Sequence, residues 1–272
     1  DFQNLTRAHY GAEATVVPFA ERPEEARQTI NAWVSDQTNN LIPDLLPAGS
    51  VDQQTLSVLT NAIYFKGSWQ IPFDPAATQE APFFRQGAEP VDVPLMKVTK
   101  RFRYAEVDGT QVVQLPYAGD GLSMIVVLPS AATNLKTLPV DADQWSRWTT
   151  PLSSATIDLW LPKFELSWGG SVAKPLQELG LRKAFDSSEA DFGQMFERTP
   201  PAGGYISDVF HQAFVKVDEE GTEAAAATAI VMTRRGRSTS NPVFRADRPF
   251  LFAIRHDDSG ALLFVGRVMD PA

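Results

Sequence analysis

The sequence predicts an α+β chain built on antiparallel sheets. Several runs alternate apolar and polar residues with the period of a half-buried strand. Gly and Asp pairs punctuate neighbouring runs where hairpins would turn. Only two stretches carry an apolar stripe at helical spacing. The 272 residues are 43% hydrophobic, enough to bury a sizeable core. No internal repeat, low-complexity linker or shift in composition divides the chain, so residues 1–272 are read as a single domain.

Taken in order, "RPEEARQTINAWVSDQTNN" predicts a helix. Pro23 suits a first turn, acids follow it, and Ala26, Ile30, Trp33 and Val34 share a face. "QTLSVLTNAIYFKGSW" is strand-like by its β-branched and aromatic content. "GTQVVQLPYAGDGLSMIVVLPS" predicts two strands folded back at Gly119-Asp120-Gly121. In "ATIDLWLPKFEL", Ile157, Leu159 and Leu161 alternate against Asp158 and Trp160. "SVAKPLQELGLRKAF" predicts a short helix with Val172, Leu176 and Leu179 on one stripe, ended by Gly180. "PFLFAIRHD" and "ALLFVGRVMD" face each other across Asp257-Asp258-Ser259-Gly260 as a last hairpin.

Composition excludes several functions. A net charge of −9 leaves no basic excess to displace counterions, so nucleic acid is not an expected partner. The cysteine count is zero, which removes disulfides, thiol catalysis and cysteine metal sites, and fits a cytosolic or a disulfide-free secreted protein. No run reaches the roughly 18 apolar residues of a membrane helix, and no membrane partner is expected. Asp1 does not start a translated chain, so a processed or cropped N-terminus is expected and targeting is not legible. Asn4-Leu5-Thr6 is a glycosylation sequon of a kind common by chance. His9, His211 and His256 lie far apart, outside any ligand spacing, and are read as structural. Asp141 and Asp143, like Asp257 and Asp258, are read as solvated turn residues. Nucleophile elbows and phosphate-binding glycine loops are absent, so neither catalysis nor a cofactor is expected.

One stretch does not fit a single role. "VKVDEEGTEAAAATAIVMTRRGRSTSN" opens as a strand, passes through two acids and a glycine into four alanines, and closes on three arginines within four residues. Propensity favours a helix capped by Thr222 with Glu223 in its first turn. Against that, Ala224 to Thr233 presents no apolar stripe to pack. From pattern alone, helix and mobile loop stand as equal alternatives. A third reading gives the segment two jobs, an exposed loop offering arginine and a strand able to enter a sheet. A central strand excludes proline, and none lies between Gly221 and Asn241. Thr222, Ala224, Ala226 and Thr228 would put small neutral side chains on the buried face. Thr222 is expected to be exposed before insertion and to enter first.

"EEGTEAAAAT", from Glu219 through Glu220, Gly221, Thr222, Glu223, Ala224, Ala225, Ala226 and Ala227 to Thr228, closely resembles the proximal hinge of inhibitory serpins. "FRADRPFLFAI" is similar to the family's C-terminal signature, and "TNAIYFKGSWQIPFDPAAT" and "VPLMK" match at their places in the order. The resemblance covers essentially the whole chain, without the helices and strands with which serpins begin. It implies three mostly antiparallel β-sheets, surrounding helices and a reactive-centre loop. It also implies a suicide-substrate inhibitor, expected to be monomeric, of a trypsin-like or subtilisin-like serine protease. By position, Trp69 and Lys163 resemble the breach residues at the top of the main sheet, where Glu219 would meet Lys163. Asn61 and His211 resemble the shutter pair at its middle. Each has an ordinary reading as well: Trp69 as a core aromatic, Lys163 as a surface lysine, His211 as a satisfied histidine. Family spacing from Gly221 puts the reactive bond at Arg235–Gly236, with Arg234 and Arg237 as alternatives. The other reading is a non-inhibitory serpin-fold carrier or chaperone, a group marked by degenerate hinges. The Ala-, Pro- and Arg-rich composition points to a bacterial source, and secretion is favoured over the cytoplasm.

Overall fold

A computed structural model describes residues 2–10, 15–119, 121–195, 204–222 and 240–272. In chain order the elements are α1 (Phe2–Tyr10), α2 (Pro23–Gln37), β1 (Leu59–Tyr64), β2 (Gly67–Ser68), β3 (Gln79–Phe83), β4 (Val91–Val107), β5 (Thr110–Pro116), β6 (Leu122–Leu128), α3 (Ala142–Thr149), β7 (Ser153–Pro162), β8 (Phe164–Ser171), α4 (Ala173–Glu178), β9 (Val209–Val217), β10 (Gly221–Thr222), β11 (Val243–Arg245), β12 (Phe250–His256) and β13 (Leu262–Val268). They fall into two compact units, one of Asp1–Tyr64 with Ser167–Phe214, the other of Phe65–Leu166 with Val215–Ala272. Strands β8 and β9 contribute residues to both.

In the first unit, α2 begins on Pro23 and buries Ala26, Asn31 and Val34. Its core partners are Ile42, Leu45, Leu46, Phe210 and Phe214. Buried Asn31 is satisfied on both sides by Leu46, whose amide donates to Oδ1 at 2.8 Å and whose carbonyl accepts from Nδ2 at 3.0 Å. Trp33, expected on this face, is instead 52% exposed. Residues 26, 30 and 34 form the packed i, i+4 row, and Trp33 lies off it against a cleft of about 380 Å³ beside β1. Leu179 is also a correction, at 85% exposed. Helix α4 ends at Glu178, so Leu179 falls at its C-cap and leaves the expected stripe. Gly180, at φ +107°, ends the helix as expected.

Strand β1 pairs with β9 in parallel, from Leu59 opposite Val209 to Tyr64 opposite Phe214, and β8 lies on the other side of β9. Phe210 and Phe214 enter the core with Val34 and Leu46.

The second unit is organised by an eight-stranded sheet in the order β11-β7-β4-β5-β6-β12-β13, with β3 paired to β4. Strand β4 was not legible as one element, because its register partners change along its length. Val91–Leu95 pair with β3, Leu95–Tyr104 with β7, and Arg103–Val107 with β5. The β5–β6 and β12–β13 hairpins form as expected, while Asp120 lies outside the described residues. Ile157, Leu159 and Leu161 of β7 are fully buried, in a core with Met96, Phe102, Val113, Phe244 and Phe250. Asp141 is no plain turn acid. It caps α3, its Oδ1 accepting from the Gln144 amide at 2.7 Å.

Candidate functional site

The chain leaves β9 at Val217 and reverses at once. Asp218 Oδ1 accepts from the amides of Glu220 at 3.0 Å and Gly221 at 3.2 Å, and the Asp218 amide donates to the Gly221 carbonyl at 2.9 Å. Within the second unit every residue of this reversal is held. The Trp69 indole donates to the Asp218 carbonyl at 3.0 Å, and the Trp69 amide donates to the Glu220 carbonyl at 2.8 Å. The Phe73 amide donates to the Glu219 carbonyl at 2.9 Å. Trp69 is thus more than a core aromatic, since its ring is 4% exposed and its two N–H groups tie down the turn.

Glu219 is 8% exposed, and a carboxylate at that depth needs partners. Lys163 Nζ lies 2.9 Å from its Oε2, and Thr78 Oγ1 donates to its Oε1 at 2.7 Å. Burial is the largest single influence and pushes its pKa upward, but Lys163, Thr78 and a backbone hydrogen bond together hold the acid below its ordinary value.

Gly221 and Thr222 then pair antiparallel with Ser68 and Gly67 as the two-stranded β10–β2 ladder. The approach is so close that a Cβ at Gly221, at φ +152°, would sit 2.1 Å from the Gly67 carbonyl oxygen. Thr222 is fully buried, and its Oγ1 shares a 2.8 Å hydrogen bond with the Tyr117 hydroxyl. Tyr117 stacks on Trp69 with ring centroids 4.6 Å apart, and burial pushes its phenol well above the ordinary value. This corrects the expectation that Thr222 stands exposed: its side chain is small and has one hydroxyl, which is what a pocket closed by Tyr117 can satisfy.

In the first unit, Asn61 and His211 are register partners across β1 and β9, with Asn61 Oδ1 2.9 Å from His211 Nδ1. The Trp168 ring lies 5.9 Å from the imidazole. Glu223, Ala224, Ala225, Ala226, Ala227 and Thr228, with the residues expected at the reactive bond, Arg234, Arg235, Gly236 and Arg237, lie outside the described residues.

Tyr117, Thr78, Gly67 and Trp168 were not singled out in the sequence. Gly67 stands inside "YFKGSW", where a glycine within an apolar run signals close backbone approach. The others carry no local signal. Among the described residues no three His, Asp or Glu side chains group as a metal site would require, and no helix is long and apolar enough to cross a membrane.

The family model "Serpin (serine protease inhibitor)" matches residues 1–271, and the chain belongs to the serpin family. It is 40% identical to human leukocyte elastase inhibitor over 281 residues, covering 100% of this chain and 73% of that protein. It is 36% identical to mouse antithrombin-III over 277 residues, covering 99% of this chain and 58% of that one. Uncleaved ovalbumin superposes with a TM-score of 0.85 at 29% identity, over 99% of this chain and 69% of that one. Serpin48 of the insect Tenebrio molitor gives 0.85 at 31% identity, over 98% and 70%. The chain therefore spans between about half and three quarters of the length of these relatives.

Proposed function

We propose that the protein is a suicide-substrate inhibitor of trypsin-like serine proteases, with Arg235–Gly236 as its bait bond. The observation that carries this reading is the parallel pairing of β1 with β9, combined with a clamped reversal where β9 ends. A chain that returns after such a reversal runs antiparallel to β9, and therefore antiparallel to β1 as well. Placed between them, it converts one parallel ladder into two antiparallel ones, the slightly more stable pairing per residue. Small side chains from Ala224 to Ala227 and the absence of proline suit that place.

The chemistry follows from the bait. The protease serine attacks the Arg235 carbonyl, the bond to Gly236 nitrogen breaks, and an ester joins protease and inhibitor. The freed strand, already seated at Thr222, then enters beyond that residue and carries the ester-linked protease with it, so that the protease is distorted before water cleaves the ester. Inserting roughly a dozen residues at about 1 kcal/mol per hydrogen bond gains on the order of 10 kcal/mol. That matches the whole stability of a typical domain, about 5–15 kcal/mol, so the uncut form is held by a barrier. The Asn61–His211 bond and the six-residue β1–β9 register are parts of that barrier.

Incubation with trypsin, resolved on a denaturing gel, tests the reading. An adduct of the summed mass that survives denaturation supports it. Quantitative clipping without adduct points to the carrier or chaperone reading, and an untouched chain sinks the bait assignment.

A further inference from the structure

Strand β4 carries Lys97, Thr99, Arg101 and Arg103 at alternate positions, and all four are exposed. Alternation along a strand sets them on one face. The register extends that face across two more strands. Lys97 pairs with Trp160 of β7 and Trp160 with Arg245 of β11, while Thr99 pairs with Asp158 and Arg101 with Thr156. Lys97 Nζ lies 4.8 Å from the Trp160 ring centroid, and Arg245 Cζ lies 5.6 Å from it. A half-buried indole is thus flanked in register by two cations, each drawn to its ring electrons.

The acids nearby are already engaged. Asp158 Oδ1 accepts from Thr99 at 2.7 Å and from Asn241 at 3.2 Å, and Asp247 pairs with Arg245 and Arg248. Arg103 donates to the Gln114 side chain and the Leu152 carbonyl. Among the described residues, neither Lys97 nor Arg101 has a carboxylate partner. In a chain of net charge −9, this face stands apart as a local cationic surface built around an aromatic ring.

Its position in the chain bears on its use. Strand β11 begins where the chain returns from the bait arginines. The roughly eight residues from Arg235 to Val243 span at most about 28 Å when fully extended. A globular domain is about 30 Å across or more, so a protease gripping Arg235 has its body within reach of β11, β7 and β4.

We propose that the outward face of β4, β7 and β11, centred on Lys97, Arg101, Trp160 and Arg245, is a second docking surface for the target protease, and that it selects proteases with an acidic rim beside the active site. This rests on the inhibitor reading above. A protease is favoured over a nucleic acid or sulfated polysaccharide because the overall negative charge opposes long polyanions. Tryptophan and arginine are also the side chains that most often anchor protein interfaces.

The test uses one trypsin-like protease in two forms, one with a neutral rim and one with glutamates placed on it. Association rate constants are measured with the parent and with the Lys97→Glu/Arg101→Glu double variant. The parent should capture the acidic-rim form about tenfold faster at low salt, with the difference fading as salt rises. The double variant should lose or reverse the preference while consuming the same number of inhibitor molecules per protease. Equal rates for the two rims, or a preference the double variant retains, would overturn the proposal. If no adduct forms at all, the inhibitor reading fails, and the surface is judged by equilibrium binding of the same two proteases with their nucleophile removed. A preference for the acidic rim, abolished by the double variant, still supports the surface, and equal binding overturns it. Dextran sulfate binding more tightly than the acidic-rim protease, and losing that affinity in the double variant, would reassign the face to a polyanion.

Discussion

Thr222 and Tyr117 meet through a 2.8 Å hydrogen bond between their hydroxyls, with Thr222 fully buried. The first position of the alanine-rich segment is therefore seated before any cleavage. Thr222→Arg places a charge in a closed pocket, or drives the reversal out of it. Either outcome costs several kcal/mol. The uncut variant should melt at least about 5 °C below the parent. With trypsin it should be cleaved at the same bond with little adduct, because strand insertion stalls and deacylation wins. Thr222→Ser, which keeps the hydroxyl, should retain both properties. An unchanged melting temperature contradicts the buried placement, and a full yield of adduct contradicts insertion.

Glu219 gives a pH signature. Its folded pKa lies below the ordinary 4.5, so the folded state favours the charged form. The stabilisation is fully present above the unfolded value and is lost as pH falls through the lower folded one. Comparing the parent with Glu219→Gln by thermal melting should show a parent advantage of about 1–2 kcal/mol at pH 7, the modest size reflecting a Lys163 side chain open to water. That advantage should persist down to pH 4.5 and shrink below it. A difference that grows on acidification would contradict the Lys163–Glu219 pairing.

The bait assignment is tested by arginine scanning. Arg235→Ala should slow trypsin inhibition by at least about 100-fold without altering the melt, since a bidentate pairing of guanidinium with a buried acid in the protease is lost. Arg234→Ala and Arg237→Ala should each cost far less. If the double change of Arg234 and Arg237 abolishes inhibition while Arg235→Ala does not, the register is off by one or two residues.

Cleavage by itself should also be legible in the melt. A single cut between Ala229 and Arg235 should raise the melting temperature by tens of degrees, because the freed strand adds ladder bonds and buries apolar surface. Intact and clipped samples melting together would mean that the β1–β9 ladder never opens.

Helix α2, the two hairpins, the buried alternation of β7 and the family itself were legible in the sequence alone, because each rests on local periodicity or on side chains adjacent in the chain. The small side chains at Thr222, Ala224, Ala226 and Thr228 are likewise read from the sequence alone, and of these the described structure includes Thr222. Tertiary structure decided the rest. Strand β4 runs past three partners, so its pattern changes with each and shows no single period. Trp33 and Leu179 obey helical spacing yet face solvent, because the packed row and the helix end are set by what lies across from them. Thr222 reads as an exposed loop residue until Tyr117, far away in the chain, closes over it, and the lack of a side chain at Gly221 lets its backbone approach that of Gly67 and Ser68. A burial that depends on a partner more than a hundred positions distant leaves no periodic trace in either segment, and only the folded chain brings the two hydroxyls within bonding distance.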